Sequence, residues 1–259
     1  MAYGERGNMT DYHIGAAAPG FVNQARRLLQ IKQAKFYAHG MKSGKVSGTR
    51  LWRAGMPVVD DGDWNSRVFK KRCSNGDVTN TAISVLVDWS GSMGGIKAEC
   101  AAKAAGLLND AFSRVLHIPV EILAFSTWGS DPTIAIIKSF QKPATADQVA
   151  GRFVSFLGHM GGNNDADSLQ FAYQRILMRK EKRKILIVMS DGSPSDGVGD
   201  PVFALKSVCD DITRHGIVEL YGVGIMDRNV ERFYPKHRVL KSHDQIEPCL
   251  IELLTEALR

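Results

Sequence analysis

From about residue 82 onward, short apolar runs alternate with segments of helical periodicity, and this alternation constrains the fold more than any other feature. Two of the runs, 83–87 and 185–189, are apolar on both faces, as expected for strands buried between two layers of helices. The full set of runs predicts strands at 82–88, 120–126, 133–140, 184–191, 218–225 and 237–242.

Helical patterns separate most of these strands. Apolar residues at three- and four-residue spacing indicate helices over 96–115, 169–176, 201–214 and 246–258. Such alternation is typical of an open, doubly wound, mostly parallel α/β sheet. The run 133–140 follows 120–126 too closely for a helical crossover, so we predict that it forms an antiparallel edge strand.

Residues 1–80 differ from the rest of the chain in charge and pattern. They carry 13 lysines and arginines against 6 aspartates and glutamates, whereas the remaining residues carry 20 against 21. The stretch 19–40 fits a helix with one apolar stripe, ended by Gly40. We therefore predict a basic, partly helical N-terminal extension over 1–80 and a sheet domain over 81–259.

Several broad classes of protein do not fit this sequence. The N-terminus has no apolar signal core and no run reaches transmembrane length, so we expect no membrane association and a cytoplasmic setting. The scattered cysteines suit reduced thiols rather than a disulfide framework. Binding of nucleic acid is disfavoured, although a nucleic-acid-associated scaffold that uses the basic residues 1–80 stays an alternative.

The stretch VLVDWSGSMGG, residues 85–95, runs from a strand into small polar residues. Its glycines do not have the spacing of a phosphate-binding P-loop. Neither Ser90 nor Ser92 lies between the two glycines of a nucleophile elbow. Phosphoryl hydrolysis with Asp88 as the nucleophile is disfavoured, because Ser90 stands where the second acid of that chemistry is expected.

Metal binding fits the same stretch better. Asp88, Ser90 and Ser92 alternate along an extended loop and can turn hard oxygen donors toward one point, which suits Mg²⁺, Mn²⁺ or Ca²⁺. Two further loops at the same end of the sheet offer carboxylates, Asp165 before the fourth strand and Asp191 after it.

Three residues beside these loops form a predicted rim for a partner. We expect Trp89, Trp128 and Asn164 to contact a partner there, although Trp89 and Trp128 could equally pack over their own loops. The loop that contains Asn164 could also serve simply as a turn and helix cap.

These loops resemble a von Willebrand factor A (VWA) domain with its metal-ion-dependent adhesion site. Asp88, Ser90 and Ser92 match the DxSxS loop of that class, and Asp191 in SDGSP matches its third loop. The second loop lacks the threonine of integrin-type members. The segments NNDADSLQFAYQRIL, RKILIVMSDGSPSD and VELYGVGI resemble the CobT subunit of aerobic cobaltochelatase, and the similarity spans roughly residues 20–258.

The resemblance implies an adaptor rather than an enzyme. CobT-like subunits work with a ring-forming AAA+ ATPase, while a large separate subunit holds the tetrapyrrole. The chain would then be a non-catalytic subunit of an ATP-dependent metal chelatase, with Mg²⁺ receiving an acidic side chain of the ATPase. The family usually has a long acidic segment before this domain, whereas here that part is short and basic. An adaptor of a different AAA+ machine, including a virus-encoded one, is therefore a further alternative.

Overall fold

The computed structural model describes most of the chain after residue 80 and shorter pieces before it. The described residues are 23–24, 35–41, 43–49, 51, 68–74, 80–128, 131–192, 194–197 and 199–257. The chain divides into two compact units, one of residues 29–78 and the other of residues 1–28 together with 79–259. The boundary between residues 80 and 81 stays a prediction from sequence.

The larger unit contains a six-stranded sheet in the order β6-β5-β4-β7-β8-β9. Neighbouring strands are parallel except at the edge, where β6 runs antiparallel to β5. This arrangement confirms the predicted α/β sheet and its antiparallel edge strand. The strands are β4 Thr81–Asp88, β5 Val120–Trp128, β6 Asp131–Lys138, β7 Arg183–Ser190, β8 Glu219–Ile225 and β9 Lys236–Leu240.

Helices of the larger unit form two groups. Helix α1 contacts α2 and α5, whereas α3 contacts α4. Every residue of β4 is buried, as a central strand between two helix layers requires. Residues 23–24 are also helical; the α-helices after residue 80 are α1 Ile96–Asn109, α2 Ala146–Ser155, α3 Asp165–Leu177, α4 Pro201–His215 and α5 Ile246–Ala257, and a π-helical segment, Asp110–Val115, continues α1.

The hydrophobic core on one face of the sheet lies between the central strands and helices α3 and α4. Leu86, Leu186 and Leu220 project from the strands toward Leu169 and Leu205 of the helices, and all five are buried. Burial of this kind is the main stabilising contribution in a domain of this size. It holds the carboxyl ends of β4 and β7 in fixed positions beside the start of α3. None of the helices in the described part of the chain is long and apolar enough to cross a membrane.

The smaller unit holds a three-stranded antiparallel sheet in the order β1-β3-β2, with β1 Lys35–Met41, β2 Lys45–Val46 and β3 Phe69–Ser74. The helix predicted over 19–40 is therefore wrong for its last residues, because 35–40 belong to β1. Gly40 does not end a helix. It lies at an irregularity in the pairing of β1 with β3 and has a positive φ of 79°. Residues 19–22 and 25–34 lie outside the described part of the chain.

Candidate metal centre

The first loop of the site follows β4, whose last residue is Asp88. The Asp88 side chain is fully buried, and its Oδ1 accepts a hydrogen bond of 2.9 Å from the Ser90 amide. The hydroxyl oxygens of Ser90 and Ser92 lie 2.9 Å apart. Ser92 is exposed and Ser90 is buried, so the hydroxyl pair leads from the protein surface inward. The three residues thus lie close together, and the binding of an ion by their oxygen atoms stays a prediction.

The second contribution comes from the end of β7. Ser190, the last residue of that strand, donates a hydrogen bond of 2.9 Å from its hydroxyl to Asp88 Oδ2. The Ser190 hydroxyl in turn accepts a bond from the Gly192 amide at 2.9 Å. Both oxygens of Asp88 are therefore held by donors. Sequence reasoning did not single out Ser190, although its position across the sheet from Asp88 follows from the parallel pairing of β4 with β7.

Asp191 follows Ser190 directly and is buried. Its Oδ2 accepts a hydrogen bond of 3.0 Å from the ammonium group of Lys97, in the first turn of α1. Its Oδ1 is buried and has no hydrogen-bond partner among the described residues. Only half of this carboxylate is satisfied by the residues around it.

Asp165, the first residue of α3, is the most exceptional member of the site. The residue is 2% exposed, and neither carboxylate oxygen has a hydrogen-bond partner within the described ranges. A buried, ionised carboxylate is strongly unfavourable unless it is paired, hydrogen-bonded or bound to a metal ion. The position at the start of a helix favours a negative charge, but that effect is far smaller than the penalty of burial.

The three carboxylates, which we call the acidic cluster (Asp88, Asp165 and Asp191), influence one another electrostatically. Burial raises the pKa of Asp88 to about 6; the charge of Asp191 adds to the rise, and hydrogen bonds from Ser90 and Ser190 oppose it. Burial, and then the charges of Asp88 and Asp191, raise the pKa of Asp165 well above its usual value. The amide of Asp165 and the side chain of Ser190 oppose this rise in pKa, although neither makes a hydrogen bond of good geometry with the Asp165 carboxylate. Like charges at this separation repel one another, and a bound cation would offset that repulsion.

Acidic side chains alone do not complete a metal site here. In the part of the chain that is described, no group of three histidine, cysteine, aspartate or glutamate side chains is gathered closely enough to hold an ion. An ion at this position has to take part of its coordination shell from the hydroxyls of Ser90 and Ser92. The resulting donor set consists only of oxygen atoms, and it fits Mg²⁺, Mn²⁺ or Ca²⁺ rather than zinc.

Hydrogen bonds join the three loops to one another. The Gly91 amide donates to the Gly161 carbonyl at 2.7 Å, which links the first loop to the second. Asn163 of the second loop accepts bonds from the amide and the hydroxyl of Ser195 in the third, at 2.8 and 2.7 Å. Thr127, at the end of β5, donates to Asp196 of the third loop at 2.9 Å. The site is therefore held as one network, and Thr127 and Asp196 are supporting residues that sequence reasoning missed.

Gly162 shows how closely these loops approach. A Cβ atom at this position would lie 1.7 Å from Asp196 Oδ2 and 2.8 Å from Thr127 Oγ1. Any side chain here would displace the hydrogen bond between Thr127 and Asp196. The glycine is needed for this close approach of the second and third loops.

The structure corrects two of the residues predicted to form the rim of a partner site. Trp89 is fully buried, and its ring lies 4.8 Å from that of Phe153 in α2, so it packs over the loop and cannot reach a partner. Asn164 is 3% exposed, and its side chain caps α3 by bonding the amide and carboxylate of Asp167.

Trp128 is accessible, in contrast to those two. It is 69% exposed at the end of β5, and its ring centroid lies 6.0 Å from that of His159. Trp128, Thr133 and His159 line a cavity of about 170 Å³. Because Thr127 bonds both the second and the third loop, this cavity lies close to the loops of the acidic cluster. Its use by a partner stays a prediction.

Solved structures with the same fold define the class of the domain. The von Willebrand factor domain of the type V pili tip protein Mfa5 from Porphyromonas gingivalis matches 69% of this chain and 94% of its own, with a TM-score of 0.52 and 7% identity. The PilB minor pilin from Streptococcus sanguinis matches over 70% of this chain and 61% of the pilin, with a TM-score of 0.53 and 12% identity. Proximal thread matrix protein 1 from the mussel byssus matches over 69% of this chain and 47% of its own, with a TM-score of 0.51 and 16% identity.

The fold is therefore that of a VWA domain, and at these identities the likeness shows the fold alone. The chain matches less than two thirds of the length of both the pilin and the thread protein. A narrower assignment comes from the sequence: residues 68–259 match the family model described as the cobalamin biosynthesis protein CobT VWA domain. The chain belongs to this CobT family.

Proposed function

We propose that the chain is a VWA-domain adaptor that binds Mg²⁺, or the related Mn²⁺ or Ca²⁺, and docks a carboxylate of a protein partner. The observation that carries the proposal is Asp165, a buried carboxylate with both oxygens unpaired among the described residues. A buried charge without a partner destabilises the domain, and a bound cation would remove that cost. The residues that would hold the ion are Asp88, Ser90, Ser92, Asp165 and Asp191.

Each of these residues has a distinct part in the proposed site. Asp88 is fixed at both oxygens by Ser90 and Ser190, so it orients the loop and contributes negative charge from below. The Ser92 hydroxyl offers a neutral oxygen at the surface and the buried Ser90 hydroxyl offers a second one next to it, while Asp165 and Asp191 supply most of the free carboxylate oxygen. When bound, a divalent ion of this type supplies a positive centre that accepts a further oxygen ligand from outside the chain.

A partner carboxylate is the natural external ligand for such a centre. We infer that it comes from an AAA+ ATPase with which the chain works in a chelatase-type complex, together with a large chelatase subunit. Membership in the CobT family supports this assignment. The exposed Trp128 provides an apolar contact close to the proposed metal loops. The chain would then act as a non-catalytic subunit.

The geometry argues against hydrolysis at the same loops. A nucleophilic Asp88 would need a free oxygen directed at a substrate, but it is fully buried and both its oxygens accept hydrogen bonds. Asp165 has free oxygens but is also buried, and a buried carboxylate close to two others suits a metal ligand better than a nucleophile. A nucleic-acid scaffold that uses residues 1–80 stays an alternative from sequence, to be tested by salt-dependent DNA binding that survives EDTA.

Substitution of Asp88 tests the proposal most directly. We expect Asp88→Ala to abolish binding of Mg²⁺ to the EDTA-stripped full chain in calorimetry, because the first loop loses its orienting carboxylate. The same variant should no longer retain a purified AAA+ ATPase of the proposed partner class in a pull-down, and EDTA should have the same effect on the wild type.

Asp210→Asn provides the matched control, since it removes one exposed negative charge from α4 and leaves the three loops unchanged. This control should bind Mg²⁺ and the ATPase as the wild type does. Circular dichroism should show that both variants remain folded. Undiminished binding of the ATPase by Asp88→Ala in EDTA would overturn the proposed docking mode.

A further inference from the structure

Lys97 is the cation that the structure places against the acidic cluster. Its ammonium group lies 3.0 Å from Asp191 Oδ2, and the two side chains are 28% and 4% exposed. The residues are 94 positions apart in the sequence, so the contact is a product of the tertiary fold. Lys97 thus supplies positive charge at the point where the proposed ion would need Asp191.

The position of Lys97 in its helix is unfavourable by itself. It is the second residue of α1, where the helix dipole favours acidic rather than basic side chains. The residue before the helix, Gly95, offers no side-chain cap that would offset this effect. The ion pair with Asp191 is the interaction that compensates for a lysine at this site.

One ammonium group satisfies only a small part of the acidic cluster. Lys97 bonds a single oxygen of Asp191, while the other oxygen of Asp191 and both oxygens of Asp165 remain without a hydrogen bond in the described structure. A divalent ion carries twice the charge and accepts several oxygen ligands at once. The lysine is therefore a weaker substitute that a divalent ion can replace.

We propose that Lys97 is a tethered counter-ion of the acidic cluster, which stabilises the metal-free domain and must leave Asp191 when a divalent ion binds. The inference rests on the proposed function of the same site and adds that Lys97 helps to set the affinity of the site for the divalent ion. Lysine has a long flexible stem, and its partial exposure gives the ammonium a path into solvent. Lys97 then lowers the affinity for the ion and prevents the empty site from being strongly destabilising.

The inference predicts two changes of opposite sign when the lysine charge is removed. In Lys97→Met, Mg²⁺ no longer competes with an ammonium group, so we expect its Kd to fall by about tenfold, the equivalent of one modest ion pair. In EDTA the same variant leaves Asp191 unpaired, and its Tm should fall by roughly 2–4 °C. A lysine that only packs against its neighbours would not produce the tighter binding.

Calorimetry with MgCl₂ and thermal unfolding in EDTA measure the two effects on the full chain. Lys206→Met is the matched control, because it removes an exposed lysine from α4 and should change neither quantity. Lys97→Gln, with a shorter polar side chain, should reproduce both effects if the charge is responsible. In an Asp191→Asn background, Lys97→Met should no longer lower the Tm in EDTA.

The outcomes separate this inference from the proposed function. If the wild type binds Mg²⁺ and Lys97→Met binds it equally or more weakly, the counter-ion role is overturned while the metal site stands. Tighter binding by Lys97→Met, or binding by that variant alone, supports the inference. If no variant and no wild-type chain binds a divalent ion, the proposed function fails, and displacement of Lys97 fails with it.

Discussion

Two groups of charged side chains lie at opposite ends of the sheet and of helix α3. Their buried charges are paired in one group and largely unpaired in the other. At the far end from the acidic cluster lies what we call the paired cluster, Glu121, Lys138 and Arg175. Glu121, fully buried near the start of β5, receives two hydrogen bonds from the Arg175 guanidinium. Lys138 is also buried and donates to the Val120 carbonyl at 2.7 Å. Here the buried charges of both signs have partners.

Helix α3 joins the two clusters, since it begins at Asp165 and carries Arg175 in its last turn. Asp165 and Arg175 are ten residues apart, which corresponds to about 15 Å along the helix axis. The same element thus pairs a buried carboxylate completely at one end and leaves one unpaired at the other. Because the domain provides a full set of hydrogen-bond donors for the buried carboxylate of Glu121, the lack of donors around Asp165 points to function rather than to poor packing.

The largest effect on stability should come from breaking the paired cluster. We expect Glu121→Gln to lower the free energy of unfolding by about 3 kcal/mol, because Arg175 and the buried Lys138 lose their counter-charge. Urea denaturation at pH 7 measures this loss. The double variant Glu121→Gln with Arg175→Met should lose less than the sum of the two single changes. Strict additivity would show that the pair has no special role.

The same type of substitution in the acidic cluster should have the opposite sign. We expect Asp165→Asn in EDTA to raise the free energy of unfolding by about 1 kcal/mol, or roughly 3 °C in Tm, because it removes one of three mutually repelling buried carboxylates. Binding of Mg²⁺ should weaken in the same variant. Asp210→Asn, on the surface of α4, controls for the loss of one charge. A destabilised Asp165→Asn would mean that Asp165 has a structural partner and would remove the contrast between the clusters.

Much of the sheet was predictable because its strands leave clear patterns. The run 82–88, which is apolar on both faces over 83–87, corresponds closely to β4, and the short connection before 133–140 correctly indicated an antiparallel edge. Helix α2 was missed even though Thr145 and Gln148 form a capping box, a local signal that is visible in the sequence. The local sequence pattern predicts the end of a helix where β1 lies. The pairing of β1 with β3 determines the structure of this segment, and that pairing leaves no local pattern.

The order of the strands predicts which loops meet at the site, but only the contacts within one loop are predictable in detail. Asp88, Ser90 and Ser92 are neighbours in the chain, so their spacing alone brought their oxygens together. The contacts of Lys97 with Asp191 and of Thr127 with Asp196 join residues 94 and 69 positions apart, and no local pattern signals them. For Trp89 the sequence left contact with a partner and packing over the loop equally open, because the contact with Phe153 that decides between them comes from α2, the helix that was missed.

The smallest predicted effect concerns the pH dependence of the paired cluster. Burial lowers the pKa of Lys138 to about 8, against the opposing charge of Glu121. Between about pH 8 and 10.5 the unfolded chain therefore binds more protons at this lysine than the folded chain, and its contribution to stability rises with pH. We expect the free energy of unfolding of the wild type to rise by up to about 1 kcal/mol between pH 7 and 9 relative to Lys138→Met.

Urea denaturation of both chains at the two pH values measures this rise, and Lys142→Met, which removes an exposed lysine, should keep the wild-type dependence on pH. An unchanged dependence in Lys138→Met would show that the lysine stays charged in both states, fully compensated by Glu121, and the contrast with the acidic cluster would be sharper still.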